Sequence, residues 1–259
     1  MTAISYAPAT SASRRGRMNR VLAVTRLHFV DIWSIFAVPF MIMIFILLVN
    51  MAIWWLILTS ISDPESRANA QEGFSYSGAS FYIYVYMMVV AIMTINLTFS
   101  FATGYGVTRR NFYLGTCIAF VTLSLLWAVV LTALSYIEQA TNGWALGGHM
   151  FSAIYFGDGA WYQRVFLHFV GMAFFFFVGA AVATVYVRWK ASGMLTFFAS
   201  LVVLLVGGAA LVTLTESWPR VGEWFVDAGS YGVAAWLLVP TALAAAAGWL
   251  VLRKATPRT

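Results

Sequence analysis

Six long apolar runs order the chain. Stretches free of Asp, Glu, Lys and Arg extend approximately from Phe36 to Leu58, Ala79 to Thr103, Leu114 to Tyr136, Phe166 to Val187, Met194 to Leu214 and Tyr231 to Leu252. Each exceeds about 20 residues, the length a helix needs to cross the hydrocarbon of a bilayer. The pattern predicts an all-α integral membrane protein with six transmembrane helices, and an even number of crossings puts both termini on one side. Residues 19–259 read as a single six-span domain. Ahead of it, Thr2 to Ser13 carry no charge and are rich in Ala, Ser, Thr and Pro, so residues 1–18 are expected to form a disordered tail. The arginines that follow superficially resemble the basic start of a signal peptide. The first apolar run is too long for one and lacks a small-residue cleavage site, so it reads as a retained span.

The shorter segments carry their own patterns. Before the first span, Leu22, Phe29, Ile32 and Trp33 fall on one side of a helical wheel and Arg20, His28, Asp31 and Ser34 on the other, with Val24 and Leu27 off the pattern. This predicts an in-plane elbow helix, or else a simple extension of span one. The connection from Ile137 to Val165 holds Trp144, Phe151, Tyr155, Phe156, Trp161 and Tyr162. Such aromatics favour the headgroup zone, and interfacial helices are expected there. Glu216, Arg220, Glu223 and Asp227 recur at i, i+4, i+7 and i+11, with Trp218, Val221 and Phe225 elsewhere around the turn. An amphipathic outer helix follows, with Pro219 tolerable in its first turn.

Charge fixes the expected orientation. With a cytoplasmic N-terminus, the inside segments hold Arg14, Arg15, Arg17, Arg20, Arg26, Arg109, Arg110, Arg188, Lys190, Arg253, Lys254 and Arg258, twelve of the fifteen basic residues. Only Arg67, Arg164 and Arg220 remain outside. That asymmetry predicts cytoplasmic N- and C-termini. Composition agrees, since 62% of residues are apolar, 9% are charged and the mean hydropathy is +0.84, which leaves no room for a soluble domain of ordinary size. The net charge of +6 therefore reads as a topology signal and not as a nucleic-acid surface. The single Cys117 excludes an intrachain disulfide or a thiolate cluster.

Candidate chemistry is sparse. No predicted span contains Asp, Glu, Lys or Arg, the groups by which an ion-driven transporter usually couples. His168 lies about a turn inside the external end of span four and reads as an interfacial hydrogen-bonding residue. His28, His149 and His168 occupy different segments, and no H-E-x-x-H, C-x-x-C or G-x-S-x-G occurs. Asn50 and Asn96 are the strongest polar features inside the bilayer, as glue between helices or as pathway residues. No G-x-x-x-x-G-K-[ST] is present, so an ATP-driven role needs a separate ATPase.

The segment joining spans two and three speaks most clearly. It reads Gly104, Tyr105, Gly106, Val107, Thr108, Arg109, Arg110, Asn111, Phe112, Tyr113, Leu114, Gly115. Two arginines in a short inside connection of about ten residues, flanked by turn-forming glycines and interfacial aromatics, make a compact cationic knuckle. By its residues alone the knuckle serves either to dock a cytoplasmic partner or only to enforce topology.

The string G-V-T-R-R-N-F-Y-L-G in that position, within a six-span chain of this length, resembles the permease subunits of bacterial type-2 ABC exporters. In that family the matching segment follows G-[VIT]-[ST]-R-[RK]-x-[FY]-x-x-[GA] and inserts into a separate ATPase as the coupling helix. Gly106, Thr108, Arg109, Arg110, Phe112 and Gly115 match, and Asn111 fills the variable place. The elbow helix, the six spans and the outer helix before the last span extend the resemblance over most of the chain, whereas the aromatic loop 137–165 is longer than the family pattern. The resemblance implies a bacterial plasma-membrane subunit that pairs with a second permease, identical or homologous, and with two ABC ATPase subunits. ATP and Mg would bind in those partners, with no cofactor in this chain and no nucleic-acid partner. Arg188 and Lys190, in the next inside connection, would supply a second ATPase contact. The rival readings are a secondary transporter or channel, a lipid-modifying membrane enzyme, and a non-transporting assembly subunit. The transported substrate is not legible, because Phe, Met and Trp along spans face lipid in any membrane protein.

Overall fold

The computed structural model describes residues 10–156 and 159–254, with side chains from residue 18 onward. Residues 1–9 of the expected tail, Asp158, Arg258 and the side chains of Arg14, Arg15 and Arg17 lie outside them. Among the described residues the secondary structure is all helical, in the order α1 (Thr10–Leu27), α2 (Val38–Ser60), α3 (Pro64–Phe74), α4 (Phe81–Gly104), α5 (Arg109–Ala140), α6 (Trp161–Leu214) and α7 (Trp218–Leu252). Helix α1 thus begins inside the segment whose composition predicts disorder. Five helices are long and apolar enough to cross a membrane, namely α2 with the turn before it, α4, α5, α6 and α7. The chain has the architecture of an all-α membrane protein.

The spacing of apolar side chains explains the packing. Ile83, Met87, Ala91 and Ile95 form one stripe of α4, and Phe120, Leu123, Trp127 and Leu131 one stripe of α5. Both pack with Phe176, Ala180 and Ala183 of α6 into a single core. A Cβ on Gly179 would sit 2.7 Å from the Met88 carbonyl oxygen, so α4 and α6 approach more closely than any larger residue permits.

Three helices depart from regular geometry, each at an identifiable residue. Pro39 has no N–H to give to the carbonyl four residues back, and the backbone relaxes into a π turn over Trp33–Ala37 in which the Val38 N–H reaches the Trp33 carbonyl. That leaves the Ser34 carbonyl short of its helical donor, and the Tyr86 hydroxyl of α4 supplies one at 2.9 Å. Helix α6 has 54 residues, which at about 1.5 Å per residue would run about 80 Å unbroken, far beyond a bilayer of about 30 Å. It is interrupted at Lys190, whose φ of 55° lies in the left-handed region. The predicted spans 166–187 and 194–214 flank this break, and the expected six-residue connection between them shrinks to one non-helical residue. Helix α7 breaks at Gly229 (φ 58°), which separates Trp218 to Ala228 from the last apolar run. Glu216 precedes that outer helix, so only Arg220, Glu223 and Asp227 of the predicted charged face belong to it.

The α2–α4 and α5–α6 connections pack together as a cap. Helix α3, absent from the sequence-based expectation, is started by Asp63, whose carboxylate accepts the Ser66 N–H at 2.8 Å, with Pro64 in the first turn. Phe74 of α3 packs on Trp54 of α2, and Gln71 donates to the Leu146 carbonyl at 3.3 Å. In place of the interfacial helices expected between Ile137 and Val165, the described part holds only a π turn (Gly143–Gly147) and a 3-10 turn (Ile154–Phe156). Asn142, Trp144 and Ala145 all adopt positive φ there, a conformation that costs non-glycine residues of order 1–3 kcal/mol each. Glu138 holds it in place.

The elbow corrects a reading of the wheel. Helix α1 ends at Leu27, so a single wheel carried on to Ser34 mixes two elements. Its buried positions are Val21 and Val24, joined by His28 in the turn that follows, while Leu22, Ile32 and Trp33 are exposed. This face lies on the first two turns of α5, where Thr25 donates to the Gly115 carbonyl at 3.1 Å and a Cβ on Gly115 would come within 2.6 Å of Val24. Gly115→Ala should therefore push α1 off α5 and cost about 1–3 kcal/mol. The thermal unfolding midpoint in detergent checks this; a midpoint equal to the wild type would show that the contact carries no weight.

Candidate functional site

Each residue of the cationic corner can be built from local rules. Helix α4 ends at Gly104, and Gly106 takes a φ of +78°, the left-handed position that lets the chain reverse. Thr108 is extended and caps α5, its hydroxyl accepting the Asn111 N–H at 3.3 Å. Only four residues separate the two helices, so the expected ten-residue knuckle is a tight corner and Arg109 and Arg110 stand in the first turn of α5. Asn111 and Phe112 are buried, Phe112 edge-on to Phe99 of α4 with ring centres 5.4 Å apart. Gly115 meets α1. Folding alone thus accounts for every matched position except the two arginines.

Those two differ. Arg109 donates from Nη1 to the Arg253 carbonyl at 2.9 Å, at the C-terminal cap of α7. That joins the start of α5 to the end of α7 across 144 residues of sequence and places a cation at the negative end of a helix. Arg110 is exposed beside a groove formed with Tyr113, Leu114, Ala245, Ala246 and Trp249. Two cations in the first turn of α5, with no acid there, work against that helix's own dipole. Local stability does not explain Arg110.

The remaining sequence candidates are placed apart. Arg188 lies over the Trp189 ring at 4.3 Å and Lys190 over Tyr186 at 5.0 Å, both engaged by their own helix at the α6 break. Asn50 donates to the Ile46 carbonyl of its own helix at 2.9 Å, so its amide N–H bonds within one helix and not between two. The buried Oδ1 of Asn96 has no partner among the described residues. Among the described residues no three His, Cys, Asp or Glu side chains gather as metal ligands.

A second polar grouping was not anticipated. The Tyr84 hydroxyl of α4 and His168 Nδ1 of α6 lie 2.6 Å apart, so His168 is hydrogen-bonded as expected, and it is buried within the protein. One turn away, Arg164 is buried as well, donating to Ser135 Oγ at 3.3 Å and to the Gly159 carbonyl at 3.2 Å, with its guanidinium over Tyr136. Glu138, fully buried, accepts from Trp144 Nε1 and Met150 N at 2.9 Å and from Ser152 N at 2.8 Å and Ser152 Oγ at 2.6 Å. Each partner donates, which is the set a carboxylate takes. Comparison with family models, curated proteins and solved structures returns no match. The sequence pattern places Arg164 only among the outside charges and does not single out Glu138. The signal was present in register: Leu131, Ser135 and Glu138 continue the buried stripe of α5, and Arg164 and His168 share one face at i, i+4.

His28 couples the elbow to the corner and gives the site a pH dependence. Thr116 spends its only hydroxyl hydrogen on the Phe112 carbonyl at 3.0 Å, so His28 Nε2, 2.9 Å away, must be the donor to Thr116 Oγ1. The buried Nδ1 then carries a bare lone pair. Burial lowers the imidazole from 6.5 to about 4. Unfolded chain binds the proton more readily than folded chain, so the contribution of His28 is complete above about pH 6.5 and is lost as pH falls toward about 4, by about 3 kcal/mol in all. Wild type should lose thermal stability across that window more steeply than His28→Gln. Equal slopes in unfolding scans between about pH 7.5 and pH 4.5 would contradict the buried neutral state.

Proposed function

We propose that this chain is the membrane-spanning permease subunit of an ATP-driven exporter of the type-2 ABC class. In this reading the break at Lys190 divides α6 into two crossings, which makes six spans with both termini on the basic, cytoplasmic side of a bacterial plasma membrane. Two such subunits, identical or homologous, enclose the pathway, and two separate ATPase subunits dock beneath them. ATP and Mg act in those partners. Their closure pushes on the α4–α5 corner, and because Arg109 ties that corner to the end of α7, the push reaches two spans together.

The observation that carries the proposal is Arg110. It is exposed, unfavourable to its own helix, and set in a corner whose other matched residues fold the turn. A docking role supplies the gain that local stability does not. The buried Tyr84–His168 pair with Arg164 favours a second reading, an ion-coupled secondary transporter, because ionisable groups within a span are kept for function. Transport that persists without any ATPase would select it.

Arg110→Gln should leave expression and orientation intact, since the other basic segments hold the topology. It should weaken ATPase co-purification or uncouple ATP hydrolysis from transport, each lost charge-assisted bond costing about 1.5–3 kcal/mol. Arg109→Gln should in addition lower thermal stability, as its bond to the end of α7 is lost. Unchanged ATPase binding, turnover and export in the Arg109→Gln, Arg110→Gln double variant would remove the coupling assignment.

A further inference from the structure

The groove beside Arg110 has a composition that docking to an ATPase leaves unused. Its walls are Tyr113 and Leu114 from α5 and Ala245, Ala246 and Trp249 from α7, enclosing about 490 Å³ open to one side, within the roughly 300–1,000 Å³ of small-molecule sites. The two alanines leave the space, and the Tyr113 hydroxyl, donating to the Ala245 carbonyl, fixes the separation of the helices. Tyr113 and Trp249 pack with ring centres 5.6 Å apart. Paired Tyr and Trp at the end of apolar helices mark the depth where hydrocarbon gives way to headgroups. At that boundary stand Arg110, Arg253 and Lys254, all exposed, and the Arg109 bond to the Arg253 carbonyl holds the two basic helix ends together. An apolar trough thus opens under a cluster of cations with no acid on either helix end.

We propose that this groove is a binding site for an anionic phospholipid, with one acyl chain along Leu114, Ala245 and Ala246 and the phosphate against Arg110, Arg253 and Lys254. Charge complementarity selects the occupant: a zwitterionic lipid fits the trough equally well but gains less from three cations at headgroup level. The site does not depend on the exporter reading. A lipid phosphate at Arg110 also offsets the like-charge conflict with the α5 dipole, so the bound lipid stabilises the corner in whatever role it serves.

The test is native mass spectrometry of the full chain, delipidated in detergent and titrated with phosphatidylglycerol or phosphatidylcholine of identical acyl chains. Wild type should bind the first phosphatidylglycerol at least about tenfold more tightly than phosphatidylcholine. Arg110→Gln, an exposed change that leaves the groove intact, should lower the preference about fivefold. Ala246→Phe fills the trough without touching a charge and should abolish the tight phosphatidylglycerol. Ordinary tight binding in Ala246→Phe would mean that the cations hold headgroups without the groove, and it overturns the proposal. Equal affinity for the two lipids in wild type, or an undiminished preference in Arg110→Gln, overturns it as well. Loss of ATPase binding with unchanged lipid binding in Ala246→Phe would assign the groove to the protein partner instead, whereas failure of the exporter reading leaves every lipid measurement standing.

Discussion

Hydrocarbon gives a backbone N–H or carbonyl no partner, so any departure from helix within the apolar part of this chain needs a substitute supplied from within the protein. The structure meets that constraint locally. Pro39 removes a donor, the Val38 N–H shifts to the Trp33 carbonyl, and Tyr86 reaches across from α4 to the carbonyl left over. At one end of the bundle, the N–H groups of Met150, Phe151 and Ser152 turn inward onto a single carboxylate, that of Glu138. At the basic end, Arg109 takes up a carbonyl at the end of α7. Two of these substitutes, Tyr86 to the Ser34 carbonyl and Arg109 to the Arg253 carbonyl, also join elements distant in sequence, so the hydrogen-bond constraint bears on the tertiary arrangement too.

The two ends of the bundle are consequently built from different chemistry. Cations at the α1–α5–α7 end are exposed or held by carbonyls, and the tight α4–α5 corner presents Arg110 outward. At the opposite end two charges turn inward, while Asp63, Glu65, Arg67 and Glu72 stay exposed: Glu138 grips a strained turn, and Arg164 is buried beside the Tyr84–His168 pair. An outward cationic face suits docking, and an inward polar cluster suits holding a cap over the core. Gly115 links these themes, since the absence of its side chain lets α1 lie against the corner and bury His28 next to Thr116.

Long apolar runs made the helices legible in the sequence, because about 20 consecutive apolar residues have few other fates. The corner was legible for the same reason at shorter range: Gly106 and Thr108 have turn and cap chemistry that does not depend on distant residues. Helix α3 carried a comparable signal in Asp63, Pro64 and Glu65, overlooked in favour of the apolar pattern. What the sequence concealed were contacts between distant segments. Nothing within α1 says that Val21, Val24 and His28 face protein while Leu22 does not, as both faces are apolar enough for lipid. Nor does the composition of residues 137–165 reveal that Glu138 folds the loop back on itself, since a buried acid and a solvated one look alike in one dimension. The extent of the break in α6 was hidden too, because Lys190 carries a positive φ without a glycine to announce it.

The proposed function makes the basic end of this membrane protein the docking face of an ATPase. The mass of the assembly, released intact from its native membranes in mild detergent, tests it most directly. The particle should hold two permease chains carrying two copies of a separate ATP-binding chain, with Mg-dependent ATP hydrolysis. A chain that emerges alone, or only with copies of itself, from membranes in which it transports would contradict it.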